Sequence, residues 1–140
     1  MRRRLNDALV AGAVAAVASG LPSTLVTLAR REDLLEGGRA AGSLLLPRAR
    51  RTLPLLAAAI PVHLALSLGW AVVLERAIPH GRERPGGVLG GLAIAALDLG
   101  AIGRRLPRIR ALPQARQWAD HVAYGWAVGA VLARRRRRRV

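Results

Sequence analysis

The chain has no cysteine and no phenylalanine, and none of its basic residues is lysine. The lack of cysteine excludes disulfides, thiol nucleophiles, lipobox-type acylation and thiolate metal ligands, while leaving the redox compartment open. With phenylalanine missing and aromatics only 3% of the total, the apolar mass is Leu, Ala, Val and Ile. That mixture reads as lipid-facing or helix-packing surface more than as an aromatic globular core. Acids are scarce too: eight of them stand against 23 arginines, for a formal net charge of +15. A GC-rich coding bias accounts for the arginine without functional selection. Guanidinium nevertheless stays charged at any relevant pH and holds phosphate in a fork, so every connecting segment is able to grip lipid headgroups.

What is present in quantity is apolar sequence. The 52% hydrophobic content is gathered into four stretches fenced by arginine, at residues 8–29, 52–74, 86–103 and 117–133. The first two carry no formally charged side chain over roughly 20 residues, the length an α-helix needs to cross about 30 Å of hydrocarbon. The expectation is an all-α, polytopic membrane protein, a small bundle of four transmembrane helices at about 5–29, 52–78, 86–106 and 117–133. An Arg-rich tail at 134–140 follows, and the 140 residues make one domain. The start, Arg2 to Arg4 followed by small apolar residues, has a signal-peptide reading with a cleavage site at Ala16-Val17-Ala18. The apolar run continues to Ala29, longer than the usual 7–15 residue core of such peptides, so a retained helix is preferred.

Small residues mark the faces expected to pack. In the first helix Gly12, Ala16 and Gly20 are spaced four apart, followed by Ser23 and Thr27, and Pro22 predicts a kink near 18–22. Gly87 and Gly91 share a stripe with Asp98 in the third helix, and Gly125 and Gly129 share one with His121 in the fourth. Pro61 predicts a bend in the second helix, and residues 40–46 a short helical turn on the membrane surface. The Gly86 to Gly91 run has neither a preceding strand nor a following Lys, so it fails as a phosphate-binding loop and is better read as packing surface.

Few ionisable groups fall at membrane depth. Counted from the shared 104–116 loop, Asp98 lies about 7 Å inside and His121 about 6 Å, so the two are expected to meet. His63 and Ser67 on the second helix complete a candidate polar cluster. Most of the weight goes to structural glue between helices, worth about 0.6 kcal/mol per contact, and less to a proton or cation path. No metal site is expected, because no histidine pair has i, i+4 spacing, and no cofactor or catalytic motif appears. The run Arg134, Arg135, Arg136, Arg137, Arg138 and Arg139 is expected on anionic headgroups, with nucleic acid disfavoured because no binding module accompanies it.

Three strings, Ser19 to Thr24, Asp98 to Pro107 and Asp120 to Gly125, resemble small uncharacterised four-helix membrane proteins of actinobacteria. The resemblance implies a bacterial plasma membrane and a four-helix layout, and carries no activity, cofactor or site residue. The functional expectation is a structural or accessory protein, more an interaction partner or homo-oligomer than an enzyme. The alternative is a small transporter or channel subunit using Asp98, His121 and His63. Both termini are expected in the cytoplasm, since the arginine clusters beside the first helix and at the tail resist translocation.

Overall fold

In the computed structural model, which describes residues 2–138, every regular element is helical. The first apolar stretch forms α1 (Arg2–Ala18) and α2 (Leu21–Ala29), broken at Ser19 and Gly20 ahead of Pro22. The expected kink is therefore a full interruption: Pro22 has no N–H for the carbonyl of residue 18, and Ser19 and Gly20, both weak helix formers, let the chain leave the helix there. A connector carries α3 (Glu36–Gly42), which starts and ends four residues earlier than the surface turn expected at 40–46. Next comes α4 (Thr52–Ala77), whose helix is unbroken through Pro61 and stops ahead of Pro79. A tight turn with Gly81 at φ +81° leads into α5 (Glu83–Ala95). Pro85 fits in its first turn, where no intrahelical N–H is needed.

From Ala96 to Ile102 the helix widens into a π segment, then tightens into a 3₁₀ turn, Gly103–Arg105. The Gly103 N–H donates to the Asp98 carbonyl five residues back. A Cβ at Gly103 would sit 2.7 Å from that oxygen, so only glycine fits there. After α6 (Pro107–Ala111), the last helix, α7 (Gln114–Arg137), is longer at both ends than the 117–133 expected. Gln114 reaches back to the carbonyls of Ile109 and Leu112, fixing the entry to α7. At the other end arginine is a good helix former, and residues 134–137 continue the helix instead of forming a free tail. Arg139 lies outside the described residues.

Successive long helices run antiparallel. Gly12 of α1 packs at Ser67, Leu68 and Ala71 of α4; Gly86 and Gly90 of α5 meet Ile78 and Leu74 of α4; and Gly91 of α5 meets His121 and Gly125 of α7. The start of α1 lies beside the end of α7, where Arg135 pairs with Asp7 at 2.6 Å. The most extensive interface is that of α5 with α7, and α7 also lies along α1 and α2.

Among the described residues three helical stretches are long and apolar enough to cross a membrane: Arg2–Ala29, Thr52–Ala77 and Glu83–Arg105. The other long helix, α7, which packs on α5 and α1, does not meet that test. Exposure is distributed in reverse of a water-soluble domain. Val17 is 80% exposed and Leu89 66%, whereas Asp7 is 2% and Arg136 7%. The buried core is rich in small side chains such as Ala11, Ala15, Ala71 and Ala127, and Leu55, Val128 and Leu132 are its largest fully buried apolar members.

Candidate functional site

The glycine seam positions everything else. Gly87 and Gly91 on α5 face Gly125 and Gly129 on α7, and a Cβ at any of the four would strike backbone atoms of the opposite helix. Backbones this close bring the polar side chains further along the same stripe into contact. Gly12 is close as well, though less so, with the Cβ of Ala71 at 2.9 Å. Gly20 departs from the expected packing role: nothing lies within 4 Å of its would-be Cβ, because it sits in the break between α1 and α2.

Asp98 and His121 meet as the sequence predicts, with Nε2 of His121 3.7 Å from Oδ2 of Asp98. Nδ1 of His121 is 2.8 Å from the Gln117 carbonyl, which makes Nδ1 the donor and leaves Nε2 directed at Asp98. The same Oδ2 accepts from Trp70 Nε1 at 3.3 Å, so one carboxylate joins α4, the π segment and α7. The bond from Trp70 to Asp98 is a part that sequence reasoning missed. Its signal was position: Trp70 lies on the same side of α4 as His63 and Ser67. A double-mutant cycle on Asp98→Asn and His121→Gln in detergent is expected to return a coupling of about 0.6–1.7 kcal/mol, and a value of zero would mean the two groups are merely neighbours.

The other two members of the expected cluster lie elsewhere. His63 turns to α1, its Nε2 2.8 Å from the Ala16 carbonyl, and is exposed on its other side. The α1 to α4 packing takes up His63, while Trp70, two turns further along α4, is the residue that reaches Asp98. Ser67 is buried and contributes its backbone carbonyl, which accepts from the hydroxyl of Tyr124. The neighbouring acid, Asp120, accepts from the Ser23 N–H at 2.9 Å at the start of α2, one of the free donors of that helix's first turn.

A second polar group, unanticipated from the sequence, closes the opposite end. Arg136 is buried between α4 and α5 and donates to the carbonyls of Glu75 and Ile78 at 2.7 and 3.0 Å, to Glu83 Oε1 at 3.1 Å and to Glu75 Oε1 at 3.4 Å. Glu83 also accepts from the Gly81 N–H at 3.1 Å. Of the six arginines expected on headgroups, Arg136 is thus withdrawn and Arg135 is tied to Asp7, while Arg134, Arg137 and Arg138 remain exposed. The reason is helical: once α7 continues past Ala133, positions 132 and 136 share the inward face. At the connector end Arg116 grips Glu32 with both terminal nitrogens and also reaches Thr27 Oγ1. That guanidinium holds the exposed Glu32 carboxyl below the usual range for glutamate, and Arg39 does the same for Asp33.

No group of three or more potential metal ligands occurs among the described residues. Comparison with family models, curated proteins and solved structures finds no match to this chain.

Proposed function

We propose that the chain is a four-helix integral membrane protein with a structural or accessory role, α7 being the fourth span. One observation carries the reading: the buried polar groups satisfy one another while the outward surface is aliphatic. Asp98 is engaged by Trp70 and His121, Asp120 by Ser23, Tyr124 by Ser67, and Arg136 by Glu75 and Glu83. In hydrocarbon each such group costs several kcal/mol if left unpaired, so internal pairing is what lets a helix as polar as α7 cross. Polar groups spent on one another hold a shape more than they serve a substrate. The aliphatic outer faces of α1, α4 and α5 are then available to a larger membrane protein or a second copy. The bacterial plasma membrane is the proposed location, with both termini and the turn at 79–82 in the cytoplasm.

The native chain supplies its own cysteine-free background for testing this. Single cysteines at His80 and Arg137 are expected to react with a membrane-impermeant maleimide only after cells are opened, and cysteines at Arg48 and Arg110 in intact cells. Labelling of positions 110 and 137 from the same side would end the four-span reading.

A second reading, a small proton or cation carrier, is favoured by one observation. Asp98 and His121 each keep 22% side-chain exposure, and Asp98 lies in a π segment, a geometry frequent at functional sites. A pH-dependent flux in proteoliposomes that disappears in Asp98→Asn would select it over the accessory role.

A further inference from the structure

The polar residues at the start of α7 lie beside a helix that is broken from its predecessor. On one side of the break α1 is fixed to α4: Gly12 packs at Ala71, and Nε2 of His63 donates to the Ala16 carbonyl at 2.8 Å. On the other side none of the nine residues of α2 is buried, and Leu21, Leu25 and Leu28 are each more than half exposed. Pro22 sends no N–H back across the break, and nothing lies within 4 Å of the would-be Cβ of Gly20. The break is a hinge with free space around it, and α2 is the arm it carries.

What holds α2 to the bundle is polar. It packs on α7, where Asp120 accepts from the Ser23 N–H at 2.9 Å, and Arg116 joins Thr27 to Glu32 just beyond the end of α2. Each attachment depends on one carboxylate. Charge-assisted bonds are roughly twice as strong as neutral ones, so each weakens when its acid takes up a proton. Between α2 and α7 lies a cleft of about 60 Å³, room for about two waters, whose outer wall is Asp33, Glu36 and Gly37 of the connector. Ser23 and Gln117 also line it, and they are the residues bonded to Asp120 and to Nδ1 of His121. The cleft thus ends one hydrogen bond short of both groups. In the opposite direction the glycine seam brings α5 and α7 into backbone contact and is closed toward the turn at 79–82.

We propose that α2 is a hinged gate beside the Asp98 to His121 pair, latched by Asp120 and Glu32, and that protonation of these two acids opens the pair to water on the connector side. The gate rests on the carrier reading only for what the opened pair passes on, and it adds the proton as the signal for opening. The surrounding charges keep that sign. Helix α2 carries none, α1 has none near the break, and α4 faces the pair with Trp70, which does not titrate. His121 acts on Asp120 from the same helix, and once protonated it is held by Asp98. Around Glu32 and Arg116 stand Arg30, Asp33, Glu36 and Arg39, of which the arginines keep their charge and the acids lose theirs along with Glu32. Arg116 holds Glu32 below the usual glutamate range, so this latch persists further into acid than a free carboxyl would.

Because the chain has no native cysteine, spin labels attach only at engineered ones. In the full chain in lipid nanodiscs, Leu25→Cys with Leu89→Cys reports on α2, and Ile60→Cys with Leu89→Cys is a reference pair outside it; all three positions are exposed. At neutral pH, pulsed paramagnetic resonance is expected to give one distance for each pair, and acidification to add a second distance for the α2 pair alone. Asp120→Asn with Glu32→Gln should raise that second population at neutral pH by about tenfold or more. Asp33→Asn with Glu36→Gln, an equal charge change that leaves both latches in place, should stay within about twofold of wild type. An α2 distance unmoved by acid, the same movement in the reference pair, or a latch variant no more open than wild type would overturn the gate. Movement of α2 without pH-dependent flux in proteoliposomes upholds the gate and refutes the carrier reading, whereas flux with α2 fixed refutes the gate alone.

Discussion

Arg136→Met is expected to lower the unfolding free energy in detergent by about 3–5 kcal/mol, the range for removing one member of a buried ionic group. Glu75 and Glu83 are both buried, and the guanidinium is their shared counter-charge. Deleting it leaves two carboxylates facing each other with no cation between them, and also strips a donor from the Glu75 and Ile78 carbonyls at the end of α4. Arg136→Lys keeps the charge but loses the fork that reaches four acceptors at once, so an intermediate loss is expected. The informative comparison is the triple variant Glu75→Gln, Glu83→Gln, Arg136→Met. If the single loss measures an uncompensated charge, neutralising all three should recover much of it. If the triple variant is as unstable as the single one, Arg136 acts through packing and its bonds to carbonyls, and the electrostatic account fails. The measurement is thermal or denaturant unfolding followed by circular dichroism.

Gly125→Leu is expected to have an effect at least as large, of a different kind. Its Cβ would meet the backbone of Gly91 at 2.7–2.8 Å as well as the Gly87 carbonyl, and backbone cannot swing aside as a side chain does. The helices α5 and α7 must separate, which undoes the Asp98 to His121 contact and draws Arg136 away from Glu83. Overpacking with a movable neighbour costs about 1–3 kcal/mol, and here the neighbour is rigid, so loss of the folded bundle is the expected result. Gly125→Ala, adding one carbon, should show a graded version. Gly69→Ala on α4 is the matched control, because nothing lies within 4 Å of that position and alanine is the better helix former by roughly 0.5–1 kcal/mol. Similar outcomes at 125 and 69 would show that the glycine seam does not set the distance between helices.

The same seam shows how much of this protein was legible in its residues. Small residues at fourfold spacing, interrupted by one acid and one histidine at equal depth from a shared loop, predicted the α5 to α7 interface and the Asp98 to His121 contact. Four of the seven proposed packing positions, Gly87, Gly91, Gly125 and Gly129, form that interface. Gly20 fails because a helix break moves it off the stripe on which its spacing was counted. His63 fails for a related reason: depth and side were judged within α4, but its partner helix is α1, and a single sequence does not say which neighbour a face meets. The Arg136 cluster was missed because hydropathy treats a run of six arginines as one surface feature. Helical periodicity, continued four residues beyond the apolar run, would have separated the inward Arg136 from the outward Arg137. The π segment left no sequence signal that propensity arguments read.

Because α7 is the least apolar of the long helices and follows α1, α4 and α5, the surfaces that bury its polar residues are made before it. On a ribosome feeding a bilayer, α1, α4 and α5 would be complete while the groove for α7 was still vacant, with Asp98, Glu75 and Glu83 waiting for residues not yet synthesised. A product truncated before α7 would therefore be three apolar helices around acids that lack their α7 partners. The helix α7 is in this sense the bundle's closing key.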